Sequence, residues 1–189
     1  MVKLVYRSDI NTYDVGSGEF RFYAMNNLFD PDITGAGGQP IGYDALAAKY
    51  QFYKVYGASI KASFSNGQSG AVGISEALVG TATSTTTPVW DQMEDQAGTR
   101  HKMIPALGSS GSVKSIRMYR KPRGTLGVNK KEYASANFGA AVTGNPVTQA
   151  YWIVGVRAWD RTTTTSIKGS VKLTYYCKFY GPKLLVGDT

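Results

Sequence analysis

Apolar and polar residues alternate along the last long run of the chain, residues 167–180. Successive side chains of a β-strand point to opposite faces. One face of this run is apolar and comprises Val171, Leu173, Tyr175, Cys177 and Phe179. The other face carries Lys172, Thr174, Tyr176, Lys178 and Tyr180. The pattern predicts a strand whose first face lies in the core, so Cys177 is interpreted as a small buried apolar residue and not as a nucleophile.

Seven further runs have strand-like composition. They are residues 2–8, 19–25, 50–64, 71–79, 99–104, 113–120 and 149–160. Gly57 indicates a bulge or bend in the third of them, and both faces of the last are apolar, which predicts a strand covered on both sides. Short helices are expected at residues 43–49 and 88–96, the second with Thr87 as its N-cap and Pro88 at its first position, and a short turn is expected at residues 130–136.

The links between these runs alternate between short and long. Residues 66–70, 105–111 and 160–166 are short links, whereas residues 29–49, 80–98 and 121–148 are long ones. If neighbouring strands run in opposite directions, all three long links leave the same end of the molecule. This rhythm predicts an all-β fold, an eight-stranded antiparallel jelly roll with strands B to I and long C–D, E–F and G–H loops that carry the short helices. We expect residues 1–189 to form a single jelly-roll domain.

The charge balance favours an anionic partner. The chain has 189 residues, with 21 Lys and Arg against 13 Asp and Glu and a net charge of +8, which favours a polyanion. Charged residues make up 18% of the chain, below the roughly 25% that is usual for soluble domains, so some of the surface is expected to be buried against partners. No apolar run reaches membrane-spanning length, and no membrane partner is expected.

Residues for catalysis or metal binding are scarce. The single histidine, His101, lies between Arg100 and Lys102, with nothing nearby to complete a catalytic triad. One cysteine and one histidine exclude a Cys/His zinc site within one chain, and the single cysteine also excludes an internal disulfide. Residues 30–35 resemble the start of a calcium loop, but Ile41 stands where a bidentate Glu belongs, so a tight turn is favoured. We predict no enzyme activity, no metal and no cofactor.

Two groups of basic residues are candidates for nucleic-acid contact on the inner side of an assembly. The first is a dense segment and the loop after it, in which Tyr119 can stack on an unpaired base: Arg117, Tyr119, Arg120, Lys121, Arg123, Lys130 and Lys131. The second lies on strands that share one sheet of a jelly roll: Lys3, Arg7, Lys61, Lys172 and Lys178. Their outward side chains would form a positive plate, and scattered solubilising charge is the alternative interpretation.

Aromatic and large apolar residues in the long links are candidates for contacts between subunits. Trp90 is the first choice, because Trp is enriched at interface hot spots. The alternative is that Trp90 folds back over its own domain. Met93, Tyr133 and Phe138 are further candidates.

An ordered series of short motifs resembles the capsid proteins of circoviruses and related circular Rep-encoding single-stranded DNA viruses. The series comprises KLVYR at residues 3–7, NNLFDPD at 26–32, TG at 34–35, GQP at 38–40, GYD at 42–44, and Tyr50, Tyr53 and Val55. The resemblance is most specific over residues 2–64 and covers the rest of the chain through strand order and loop lengths.

The resemblance implies a viral coat protein that self-assembles into a T=1 icosahedral shell of about sixty copies around circular single-stranded DNA. It also implies non-specific contacts with that DNA, a host receptor of unknown identity, and a place in the virion after assembly in the host-cell nucleus. Members of the family usually begin with an arginine-rich arm, which is not among these residues. A carbohydrate- or receptor-binding jelly roll that acts as a small oligomer is the alternative function.

Overall fold

Two antiparallel β-sheets organise the computed structural model, which describes residues 1–15, 18–34, 37–66, 74–106, 113–161 and 165–184. The strands of the described residues are β1 (Val2–Val15), β2 (Glu19–Ala24), β3 (Tyr50–Asn66), β4 (Ser75–Ala82), β5 (Arg100–Ile104), β6 (Val113–Arg120), β7 (Gly139–Ala141), β8 (Tyr151–Ala158) and β9 (Thr165–Pro182). The helices are α1 (Tyr43–Ala47), α2 (Trp90–Asp95) and α3 (Pro122–Thr125), with 3₁₀ turns η1 (Glu132–Ala134) and η2 (Ala136–Phe138).

The order of the strands confirms the jelly roll. One sheet has the order β1-β9-β3-β6, with the short β7 also paired to β3, and the other has the order β2-β8-β4-β5. With the short β7 set aside, these orders are B-I-D-G and C-H-E-F in jelly-roll lettering. Ala24 at the end of β2 and Ala82 at the end of β4 both lie opposite Tyr151 at the start of β8. The long links therefore leave the C-H-E-F sheet at one end, as their alternation with short links predicted.

Some elements differ from the sequence-based expectation. Strand β1 continues to Val15 because its second half pairs with β9 as far as Thr165. The G–H loop includes β7 and α3, which were not predicted, and the short turn expected at residues 130–136 is of the 3₁₀ type. Helix α2 begins at Trp90, with Val89 and not Thr87 at the N-cap and no side-chain cap. Part of the predicted strand 71–79, residues 71–73, lies outside the described residues.

The core lies between the two sheets. Trp152 of β8 and Tyr175 of β9 are fully buried in it, and the Tyr175 hydroxyl donates a hydrogen bond to the Ala24 carbonyl (2.8 Å) on the opposite sheet. The predicted apolar face of β9, including Cys177, is buried here. Burial raises the pKa of the Cys177 thiol to about 12. The thiol therefore stays protonated at neutral pH, which agrees with a packing role.

Two buried asparagines hold the C–D and G–H loops together. Asn27 accepts hydrogen bonds from the backbone N–H groups of Phe29 (3.0 Å) and Asp30 (3.1 Å) and from the Tyr53 hydroxyl (2.9 Å). Asn26 accepts from the Ala150 N–H (2.9 Å) just before β8. Because buried polar groups require partners, this network fixes where both long loops leave the sandwich.

Helix α2 covers the outer face of the C-H-E-F sheet. Gly155 of β8 lies beneath it, where an added Cβ would lie 2.7 Å from the Phe20 ring and 3.0 Å from the Trp90 ring. Trp90 and Met93 pack there with Phe22 of β2 in a second apolar cluster. Strand β8 is consequently buried on both sides, as its sequence predicted.

An ionic cluster fastens α2 to the sheet. Arg157 of β8 lies directly opposite Glu76 of β4, and their side chains form a buried ion pair of 2.9 Å. The same guanidinium reaches Asp91 (3.4 Å) and Glu94 (3.2 Å) of α2 and lies 4.5 Å from the centre of the Trp90 ring. One cation thus joins two strands and the helix, and removal of Arg157 would leave a buried carboxylate uncompensated.

The four residues expected to contact neighbouring subunits are buried in their own chain instead. Trp90 is 6% exposed and Met93 is 4% exposed, and both lie on the side of α2 that packs on the sheet. Tyr133 stacks on Phe138 (5.0 Å) in the G–H loop and donates a hydrogen bond to the Val55 carbonyl (2.7 Å). These side chains have little surface left for a partner, so the alternative for Trp90, folding back over its own domain, is the one observed.

Replacement of Trp90 by Ala is therefore expected to weaken folding. The change empties the space between Phe20 and Arg157 and should lower the free energy of unfolding by about 3–5 kcal/mol, measured by urea titration of unassembled chains. Val89→Ala, at a neighbouring position that is 59% exposed, is the control and should change it by less than about 0.5 kcal/mol. An unchanged free energy of unfolding for Trp90→Ala would contradict a packing role in its own chain and would favour a role in contacts between subunits.

Candidate nucleic-acid interface

Four cationic side chains lie in one row across the B-I-D-G sheet. The register places Arg7 of β1 opposite Lys172 of β9, Lys172 opposite Lys61 of β3, and Lys61 opposite Arg117 of β6. All four lie on the face that points away from the core, because their sequence neighbours, such as Tyr6 and Val171, are buried. With neighbouring strands about 4.8 Å apart, the row spans about 14 Å.

The surroundings of this row leave most of its charge uncompensated. Strands β3, β6 and β9 contain no acidic residue. Asp9 of β1, two residues from Arg7 on the same face, is the acidic residue among those that line the groove beside the row. In the described part of the chain, ion pairs are formed by Arg21, Arg157 and Arg161, and not by the row. The row lines a shallow open groove of about 920 Å³. Its floor consists of short hydroxyl side chains: Ser59, Ser63, Ser170 and Thr174.

The other candidate cations separate into three groups. Lys3 and Lys178 lie on the same face as the row, on β1 and β9. Arg120 instead reaches across to the neighbouring sheet, where its guanidinium donates to the Gly98 carbonyl (3.3 Å). The remaining four belong to the link between β6 and β7 and not to the sheet face: Lys121, Arg123, Lys130 and Lys131. The structure thus assembles the second predicted set and disperses most of the first.

One arginine that the sequence did not single out for this purpose supports the edge of the face. Arg100 of β5 donates a hydrogen bond to the carbonyl of Arg117 (2.8 Å) and lines the same groove. It bridges the open edge between the two sheets. Its position at the start of β5 gave no signal of this, since the contact joins strands from different sheets.

A buried lysine was also missed. The Lys54 ammonium of β3 donates to the carbonyls of Tyr133 (2.8 Å), Ala134 (3.0 Å) and Ser135 (2.7 Å) in the G–H loop. Burial lowers the pKa of this amine. Lys54 therefore holds the G–H loop against β3, and its ammonium group is occupied by these three carbonyl groups.

The sites considered for catalysis and calcium have simpler roles. His101 is exposed on β5. Asp32 accepts hydrogen bonds from the backbone N–H (3.2 Å) and hydroxyl (2.8 Å) of Thr34, which is a local turn of the kind the sequence favoured. Among the described residues, no group of three or more His, Cys, Asp or Glu side chains is placed to hold a metal ion.

The described helices are also too short or too polar to cross a membrane.

No protein-family model matches the chain, and no curated protein matches it significantly. Several solved structures are similar. The decameric capsid protein of BFDV is 14% identical with a TM-score of 0.49, over 95% of this chain and 98% of that one. The virus-like particle of the Macrobrachium rosenbergii nodavirus is 12% identical with a TM-score of 0.49, over 97% and 86%. Desmodium yellow mottle tymovirus is 13% identical with a TM-score of 0.43, over 99% and 91%.

The row should lower the stability of the isolated chain. Like charges directly opposite one another destabilise a strand pair by about 0.2–1 kcal/mol, and Lys172 has a cation on each side. Lys172→Gln should therefore raise the melting temperature by about 1–5 °C in low salt, and added salt should erase the gain. The measurement is a thermal melt of unassembled chains.

Lys168→Gln is the matched control. Lys168 lies on the same strand and the same face, but the residue opposite it in β3 is the uncharged Ser65. Equal melting temperatures for the two variants at low salt would contradict repulsion within the row.

Proposed function

We propose that this chain is a viral coat subunit that assembles with its own copies into a T=1 icosahedral shell around circular single-stranded DNA. Each subunit contributes one jelly-roll domain. The cationic face of the B-I-D-G sheet is turned to the interior, and the subunit is a component of the virion, assembled in the host-cell nucleus. The proposal joins the sequence resemblance to circovirus-like capsid proteins with the geometry of the two sheets.

The difference between the two outer faces is the observation that carries this proposal. The outer face of the C-H-E-F sheet is closed by its own helix, α2, with Trp90 and Met93 beneath it. The outer face of the B-I-D-G sheet is open and carries the row of four cations. A subunit with one cationic side and one side that is not is suited to a shell around a polyanion, because the cationic side can contact phosphates inside.

Assembly is tested by the size of the purified chain. A shell of about sixty copies of this 20.4 kDa chain has a mass of about 1.2 MDa, and analytical ultracentrifugation with negative-stain microscopy should show hollow isometric particles. A chain that stays monomeric or trimeric at every concentration and salt condition contradicts the shell and favours the carbohydrate- or receptor-binding alternative.

Contact with nucleic acid is tested by its dependence on salt. Binding of oligo(dT) to the row should release counterions, so the affinity should fall steeply with salt and show little sequence preference. Each lost phosphate contact reduces the slope of log K against log salt by about 0.7 for single strands. The double variant Lys61→Gln/Lys172→Gln should thus reduce the slope by about 1.4, measured by fluorescence anisotropy.

The control for this measurement is Lys49→Gln, an exposed lysine that precedes β3 and lies outside the face. It lowers the net charge by one unit without touching the row. Equal slopes for the control, the double variant and the unaltered chain would show that the row does not bind the strand.

A further inference from the structure

Two tyrosines, one exposed and one half-buried, lie near the row of cations. Tyr119 follows Arg117 by two residues on β6 and therefore shares its face. Tyr176 lies on β9, and the two rings are 6.0 Å apart in an edge-to-face arrangement with an angle of 70°. Tyr119 is 49% exposed, which is a large ring surface to leave in water.

The backbone beneath Tyr119 is shaped to hold its ring in this position. β3 is irregular between Val55 and Gly57, where its register with β9 shifts. The Tyr119 hydroxyl occupies the place that a Cβ on Gly57 would take. A larger residue at this position would displace the ring, so the glycine and the bulge together give Tyr119 a fixed seat on the face.

Arg117 and Tyr119 are separated by two residues along β6, about 7 Å, and Lys172 and Tyr176 by four residues along β9, about 13 Å. Tyr119 lies in the row of the register next to the cations, beside the small side chains of Ser59 and Thr174, and Tyr176 lies in the row after that. On the far side of the pair, Lys3 lies opposite Tyr176. An aromatic surface is thus flanked by cations on both sides, with an unobstructed floor on the side of the row.

We infer that Tyr119, supported by Tyr176, stacks on an unpaired base of a polynucleotide whose phosphates lie on the row of cations. This deepens the proposed function and rests on its nucleic-acid part. Cations alone attract any polyanion, single-stranded or duplex. An aromatic ring beside them adds a term that only splayed, unpaired bases can use, because the faces of duplex bases are already stacked on one another. Tyr119 is therefore a residue that makes this face selective for single strands.

The test compares two probes of equal charge: oligo(dT) and an oligonucleotide of the same length made of abasic sites. The unaltered chain should bind oligo(dT) more tightly than the abasic strand, by between about five- and a hundred-fold. Tyr119→Leu should remove most of this preference and leave the affinity for the abasic strand unchanged. Tyr119→Phe keeps the ring and should keep the preference.

The control variant is Phe52→Leu. Phe52 is 40% exposed near the start of β3 and stacks on Tyr180 (5.5 Å), so it is an exposed aromatic residue of the same sheet, away from the cation row. It should leave both affinities unchanged. Thermal melts of all variants check that the sheet is intact, and Tyr176→Leu is the second variant if Tyr119→Leu does not fold.

The outcomes separate this inference from the proposal on which it rests. Equal binding of the two probes by the unaltered chain, or an equal loss for both in Tyr119→Leu, overturns the stacking role while salt-dependent binding to the row stands. Absence of binding to either probe overturns both. A preference that Phe52→Leu reduces as much as Tyr119→Leu does would also contradict a specific role for Tyr119.

Discussion

The pairing of β9 between β1 and β3 is the constraint on which the rest of this molecule depends. Because side chains alternate between faces with a period of two, a slip of one residue in either pairing would exchange core and surface along the whole strand. The observed register buries Leu173, Tyr175 and Cys177 and, by the same act, turns Lys172 outward between Arg7 and Lys61. The apolar core and the cationic row are therefore two consequences of one alignment.

The outer face of the C-H-E-F sheet differs from that of the B-I-D-G sheet because helix α2 covers it. Two features make this closure work: Gly155 removes the side chain that would keep α2 at a distance, and Arg157 supplies a cation that Glu76 and the acidic residues of α2 share. Like charges lie side by side on the outer face of the B-I-D-G sheet, whereas opposite charges form ion pairs on the outer face of the C-H-E-F sheet. The sandwich thereby acquires two chemically different sides without any difference in the layout of its strands.

Much of the fold was predictable because it is written in local patterns. The alternation of apolar and polar residues along β9 predicted which of its faces is buried. The alternation of short and long links predicted the jelly-roll arrangement of the strands. The partners of each strand were not predictable in this way, because register is set by contacts between residues far apart in the chain. This is why the sequence predicted a positive plate on this sheet, with scattered charge as the alternative, but not the row in register. It is also why β1 was predicted too short: its second half has no pattern of its own and is extended by β9.

The sequence left two roles open for Trp90, and it held a signal that favours one of them. A tryptophan in a long loop is equally suited to a neighbour and to its own domain, and the choice depends on what the sheet offers. The signal was Gly155, a glycine inside a strand that is apolar on both faces, which indicates that something approaches the backbone closely.

The cationic row brings repulsion between neighbouring strands, and the chain tolerates it because the inner face of the same strands is thoroughly apolar. Selection for stability alone would not favour like charges in register at three successive strand pairs, since uncharged residues such as Ser59 and Thr174 occupy the adjacent row without difficulty. A polyanion laid across the sheet would convert each repulsive pair into a pair of cations that share phosphates, so the strain of the isolated subunit becomes a driving force for binding. If the chain forms the proposed shell, each subunit is most stable when a polyanion occupies its cationic face, and the stability of the shell then depends on its contents.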